Sequence, residues 1–167
     1  LSLLPFMWLD TSPLYLFQTT DESTPATENN DPVGRSNDRS GNAFNCLQST
    51  AGKRPLYQTS GGLLLDGTDD DLLIPTGVLT GLASGNAISL ALWFKGTVFQ
   101  SAIRLQPDIA QYIILGLGVG TPEFTISTDG GAGSGVNIAG VEDGNWHHVV
   151  GAWQRNTVNG FKVYVDG

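Results

Sequence analysis

Residues that could cleave or transfer bonds are few in this chain, and their spacing is wrong for most chemistries. Glycoside hydrolysis needs two carboxylates held about 5 to 9.5 Å apart across the sugar bond. The glutamates, Glu22, Glu28, Glu123 and Glu142, stand isolated, while Asp69, Asp70 and Asp71 are neighbours in a turn, where their side chains diverge. A serine triad needs a nucleophile on a tight turn and a histidine within reach, and no G-x-S-x-G occurs. His147 and His148 are adjacent in a strand pattern, so they face opposite sides of a sheet and do not make a paired metal ligand. One packs beside Trp146 and Trp153 in this reading, and the other is solvated or bonded across a hairpin. Gly116-Leu117-Gly118-Val119-Gly120 lacks dinucleotide spacing and a following helix, and Gly52-Lys53 lacks the rest of a phosphate loop. The expectation is a non-enzyme.

Binding chemistry is better represented. Hard cations take six to eight oxygens, often from carboxylates in turns. Asp66-Gly67-Thr68-Asp69-Asp70-Asp71 offers such a loop, so Asp66, Asp69 and Asp70 are the candidate calcium ligands. The competing reading is a turn in which Asp66 bonds its own backbone. No cofactor is required; calcium is the one to test. A glycan surface needs exposed aromatics beside polar loops, and Trp8, Tyr57 and Tyr112, with Tyr15, are the candidates. Trp93, Trp146 and Trp153 fall in strand patterns and are expected in the core.

These residues need a scaffold, and the patterning supplies an all-β one. The strongest strand signal is Ala87 to Lys95, where Ile88, Leu90, Leu92 and Phe94 share one face, with Ser89, Ala91, Trp93 and Lys95 on the other. Tyr112 to Val119 is more uniformly apolar, with Gly116 and Gly118 suggesting a bulge or close approach. Phe124, Ile126 and Thr128 alternate with Glu123, Thr125 and Ser127. Trp146 to Trp153 and Phe161 to Val165 read as the arms of a hairpin. No window has a helical period. Two packed antiparallel sheets bury such strands. Phe6 to Asp10 and Leu14 to Gln18 suggest short strands, and 19–60 reads as a largely irregular surface segment. The expected organisation is one domain over 1–167.

Bulk properties agree. Hydrophobic residues make up 40%, charged residues 14%, and there are 22 glycines, a balance suited to short strands and tight turns. The net charge of -8 disfavours nucleic acid as a partner. Cys46 is the only cysteine, so no intrachain disulfide forms. No apolar run approaches the ~20 residues of a membrane span, and Leu1 to Trp8 lacks the marks of a signal peptide.

The motifs in order then point to a family. Asp143-Gly144-Asn145-Trp146-His147-His148-Val149-Val150, followed by Tyr164-Val165-Asp166-Gly167, resembles the W-H-x-V … Y-V-D-G hairpin of laminin-G-like, concanavalin A-like jelly-roll domains. Leu65-Asp66-Gly67-Thr68-Asp69-Asp70 resembles their F-D-G-x-D-D turn. Trp8-Leu9-Asp10-Thr11-Ser12, Asp31-Pro32-Val33-Gly34, Asp38-Arg39-Ser40-Gly41-Asn42 and Arg54-Pro55 resemble a leader found with such domains in phage, prophage and bacterial surface proteins. Two departures stand out. Ser36-Asn37 replaces an aromatic before D-K-S-G-N, and the closing strands after Y-V-D-G are absent. The turn at Asp166-Gly167 leaves a sheet edge without its neighbour, so further strands or another segment are expected there.

The resemblance implies a concanavalin A-like jelly-roll sandwich on a virion surface or in the extracellular space. It implies a structural protein for decoration, attachment or glycan binding, with copies of itself, other surface proteins or cell-surface glycans as partners. A freestanding calcium-dependent lectin-like module is the alternative. A glycoside hydrolase is third, because the E-x-D-x-x-E of the related glucanases does not occur.

Overall fold

The computed structural model describes residues 6–75, 77–78, 87–97, 103–108, 111–117, 122–127, 134–154 and 157–167. Gly118, Val119 and Thr128, which end two of the expected strands, lie outside them. The chain forms two compact units, Leu1–Val78 and Leu79–Gly167. The described residues are nearly all β.

The first unit is knitted by short strands and polar side chains. Strands β1 (Leu16–Phe17), β2 (Arg35–Ser36) and β3 (Cys46–Leu47) form one antiparallel sheet, and β4 (Leu56–Tyr57) pairs with β5 (Leu63–Leu64). Of the two strands expected near the start, Leu14 to Gln18 contains β1, whereas Phe6 to Asp10 contributes only the Leu9–Asp38 bridge. The polar stretch expected at the surface is buried in places: Ala26, Val33 and Cys46 are fully buried, and Leu16, Ala26, Val33 and Tyr57 form a core cluster. Side-chain hydrogen bonds there stand in for long strands.

Each leader motif has a structural task in that knitting. Asp38 accepts from the Trp8 and Ser40 amides (2.8 and 2.9 Å), the Ser40 hydroxyl (2.7 Å) and the Phe44 amide (3.0 Å). Burial would raise its pKa, but these donors together hold it below the usual carboxylate value. Arg39 pairs with Asp10 and lies between the rings of Trp8 (4.3 Å) and Tyr15 (4.5 Å). Asp31 caps the turn before it by accepting from the Thr27 and Glu28 amides, both at 2.9 Å. A Cβ on Gly34 would stand 2.8 Å from the Gln18 carbonyl oxygen, so only glycine fits there.

The second unit holds the larger sheets. Strands β6 (Ala87–Lys95), β11 (Trp146–Gln154) and β12 (Phe161–Val165) form a three-stranded antiparallel sheet, order β12-β11-β6. Strands β7 (Ile103–Asp108), β8 (Gln111–Leu117), β9 (Pro122–Ser127) and β10 (Ser134–Asn137) form a four-stranded one, order β10-β9-β8-β7. The β8–β9 register runs without a break through Gly116, opposite Glu123, so no bulge forms there. The irregularity lies instead between Leu105 and Asp108, beside Pro107.

A shared core joins the two sheets into a sandwich. Phe124 of β9, with Ile138 and Val141, packs against Ile88, Leu90, Leu92, Val149 and Phe161 of the three-stranded sheet. Fully burying a side chain like Phe124 contributes roughly 1.5–3 kcal/mol. Its ring occupies space that a side chain at residue 151 would fill: a Cβ on Gly151 would lie 2.6 Å from Phe124 Cγ.

Candidate functional site

Strand alternation gives the three-stranded sheet two unlike faces. On β6, Ile88, Leu90, Leu92 and Phe94 turn inward, which leaves Trp93 outward and 66% exposed. On β11, Val149 and Trp153 turn toward the core and Trp146 and His148 turn away. Register then sets the outward residues side by side. His148 lies opposite Trp93, Trp146 opposite Lys95, and Val150 lies between Ala91 and Tyr164. The Trp93 and His148 rings are 5.0 Å apart at a tilt of 32°. Trp146 and Tyr164 are both about half exposed, at 48% and 46%.

This corrects the expectation that the strand tryptophans belong to the core. Trp153 is core, 6.3 Å from the Phe161 ring, but Trp93 and Trp146 are surface residues. The signal was present: Trp93 has the parity of Ser89 and Lys95, and alternation outranks hydrophobicity in a strand with one buried face.

Beside the aromatic row the same face carries an open cleft of about 590 Å³. Its floor is small residues, Ala87, Ser89 and Ala152, over which a planar ligand can approach the sheet closely. Gln154, Lys162 and Tyr164 stand around that floor, and the turn 157–160 forms a wall. Among the described residues no Asp or Glu lines the cleft.

His147 is fully engaged elsewhere. Its Nδ1 lies 2.8 Å from Asp166 Oδ2 and its Nε2 2.9 Å from Asp143 Oδ1. Two carboxylates on one ring ask both nitrogens to donate, which is the imidazolium form. The bond to Asp166, then that to Asp143, raises the His147 pKa, while His147 pulls Asp143 down to about 2 and lowers Asp166. Asp166 also accepts from the His148 amide at 2.9 Å, and Asp143 from the Asn145 amide at 2.8 Å. The motif histidine is therefore a latch across the hairpin. The bond across the hairpin that was expected of one histidine is His147's, to Asp166, while His148 lies beside Trp93 on the outward face.

The acidic turn comes together as a cluster. Carboxylate oxygens of Asp66, Asp69 and Asp70 all lie within 4.8 Å of one another. Asp66 Oδ1 already accepts from the amides of Thr68 (2.8 Å), Asp69 (3.2 Å) and Asp70 (3.4 Å), and the Thr68 bond chiefly lowers its pKa. Lys53 Nζ is 3.4 Å from Asp69, and Asp71 is bonded to Gln48 instead. The oxygens are of the right kind for calcium, but water would have to complete the six to eight positions.

The expected glycan aromatics are scattered. Tyr57 is buried, 7% exposed, because its ring fills the first unit's core, so it offers no platform. Trp8 is exposed, with Arg39 over its ring. Tyr112 sits in β8 opposite Ser127, and its side chain lies outside the described residues. Cys46 is inert: burial, then the Asp38 charge, pushes its thiol up to about 12.

A family model described as the concanavalin A-like lectin/glucanases superfamily matches residues 66–167. Comparison with curated proteins and with solved structures gave no match. The matched span includes both sheets, the acidic turn and the His147 latch, and its fold is one used for carbohydrate binding or structure. On the family model and the two-sheet sandwich together, this chain belongs to the laminin-G-like family of the concanavalin A-like lectin/glucanase superfamily.

Proposed function

We propose that this chain is a non-catalytic module of a virion or bacterial surface, which decorates or attaches through the outward face of the β12-β11-β6 sheet, with cell-surface saccharide as its ligand. The observation that carries the reading is Trp93, 66% exposed on a sheet whose other face is core, in a row with His148 and Tyr164. An exposed indole costs solvation unless something covers it, and sugar C–H faces stack on such rings. The non-catalytic part is supported by a cleft with no acid among its described lining residues and by a histidine with both nitrogens occupied. Attachment of this kind requires no cofactor, since the acidic turn bonds its own backbone and Lys53 already stands beside Asp69.

The test is a glycan array with the whole chain, repeated with Trp93→Ala and Tyr164→Ala. Retention should fall about tenfold in each variant, ~1.4 kcal/mol, with no change in melting temperature. No reducing sugar should be released from any retained glycan. Retention that survives both substitutions, or sugar release, would overturn the reading.

A further inference from the structure

We infer that the ligand of this sheet face is an acidic polysaccharide, a chain of uronate-type sugars, and not a neutral glycan; the inference rests on the proposed saccharide role of the face. The first observation is the distribution of charge. The chain has 16 acidic residues against 8 basic ones, yet β6, β11 and β12 contain no aspartate or glutamate at all. They contain two lysines, Lys95 and Lys162, both exposed at outward positions. Among the described residues neither lysine is in an ion pair. An acidic molecule has thus left one strip of its surface positive.

The second observation is where the lysines stand. Lys95 lies opposite Trp146, and Lys162 lies opposite Ala152 at the cleft. Between those two positions β11 advances about 20 Å at ~3.4 Å per residue, enough for several sugar rings. Trp93, His148 and Tyr164 fill the interval. A pyranose uronate has an apolar C–H face and a carboxylate on its rim, so the ring stacks on the aromatic row while the carboxylate reaches a flanking ammonium. At the cleft, Gln154 and the Tyr164 hydroxyl add neutral hydrogen-bonding groups for sugar hydroxyls.

Of the acids that flank the strip, Asp166 and Asp143 share the His147 imidazolium, which offsets one of their two charges. Asp166, which follows β12, is bonded to the His147 ring and the His148 amide, and Asp143 is bonded to His147 and Asn145. Remote charges are screened beyond about 10 Å at 0.1 M salt, so the net -8 does not govern contact on this face.

The experiment is a binding titration of the whole chain against polygalacturonate, alginate and hyaluronan, each with its methyl ester, and a single-stranded oligonucleotide of matched charge. At least one uronate polymer should bind about tenfold more tightly than its ester, and more weakly as salt rises. Lys95→Gln with Lys162→Gln should bring that polymer down to the affinity of its ester, with melting temperature unchanged; Trp93→Ala should weaken both forms. An ester that binds as tightly as its acid, or a double lysine variant that keeps full affinity, overturns the acidic-ligand inference and leaves the saccharide reading standing. Equal binding of the oligonucleotide overturns it in favour of a general polyanion site. Binding of no saccharide overturns both, and dimerisation abolished by Trp93→Ala would then assign the face to a second copy.

Discussion

His147 shows how one residue can be overdetermined by its neighbours. It is the motif histidine, and its two ring nitrogens are both spent on carboxylates. That gives stability a defined pH dependence. The His147 pKa is raised above 6.5, so its contribution is complete below pH 6.5 and is lost as pH climbs through the raised value. Asp143 and Asp166 are lowered from 3.8, so their contribution is complete above that value and is lost as acid takes Asp143 toward about 2. Melting temperature against pH should therefore have a plateau between about 4 and 6.5 and fall on both sides. His147→Gln should remove the alkaline limb, and an unchanged limb would show that the latch does not hold the hairpin. A histidine bonded across the hairpin was legible beforehand; its two carboxylate partners were not, because Asp143 lies in a loop and Asp166 lies beyond the end of β12, at a positive φ of 56°.

Elements were the most legible scale. The expected strands Ala87 to Lys95 and Phe161 to Val165 have those bounds in the structure, and the Trp146 strand runs one residue further, to Gln154. Each has one buried face, so apolar periodicity marks it. Strands β7 and β10 went unread for the opposite reason. Ser134-Gly135-Val136-Asn137 has little intrinsic strand preference, and Pro107 interrupts β7, so pairing with β9 and β8 makes them strands. Glycine 151 was equally silent. Only the fold shows that Phe124 lies where its side chain would go. Gly151→Ala should destabilise by ~1–3 kcal/mol, roughly 2–4 °C of melting temperature for each kcal/mol. Calorimetry checks this, and Gly135→Ala, with Phe124 O and Thr125 Oγ1 each 2.6 Å from the added Cβ, should behave likewise.

At the scale of the whole molecule, composition announced the architecture but not the face proposed here for binding. Forty per cent hydrophobic residues with 22 glycines pointed to stacked sheets, and a net charge of -8 pointed away from polyanions. Charge counted over a chain hides charge sorted by element, and the sorting is what the sheet face displays. Tyr57 and Trp8, plausible as platforms in sequence, belong to the first unit, one in its core and one beneath Arg39. If attachment uses the sheet face and not the acidic turn, a chelator should leave saccharide retention unchanged. Loss of retention in EDTA, restored by calcium, would favour the calcium-dependent lectin alternative and assign Asp66, Asp69 and Asp70 to it.

The indole of Trp93 rests against an imidazole and is 66% exposed to water. Tryptophan emission is sensitive to both conditions: a nearby ring quenches it and solvent reddens it. A sugar settling on that indole would displace water and alter the glow of the very side chain it touches. If the proposed face takes a saccharide, the molecule carries its own unlabelled optical gauge of occupancy, readable in a cuvette.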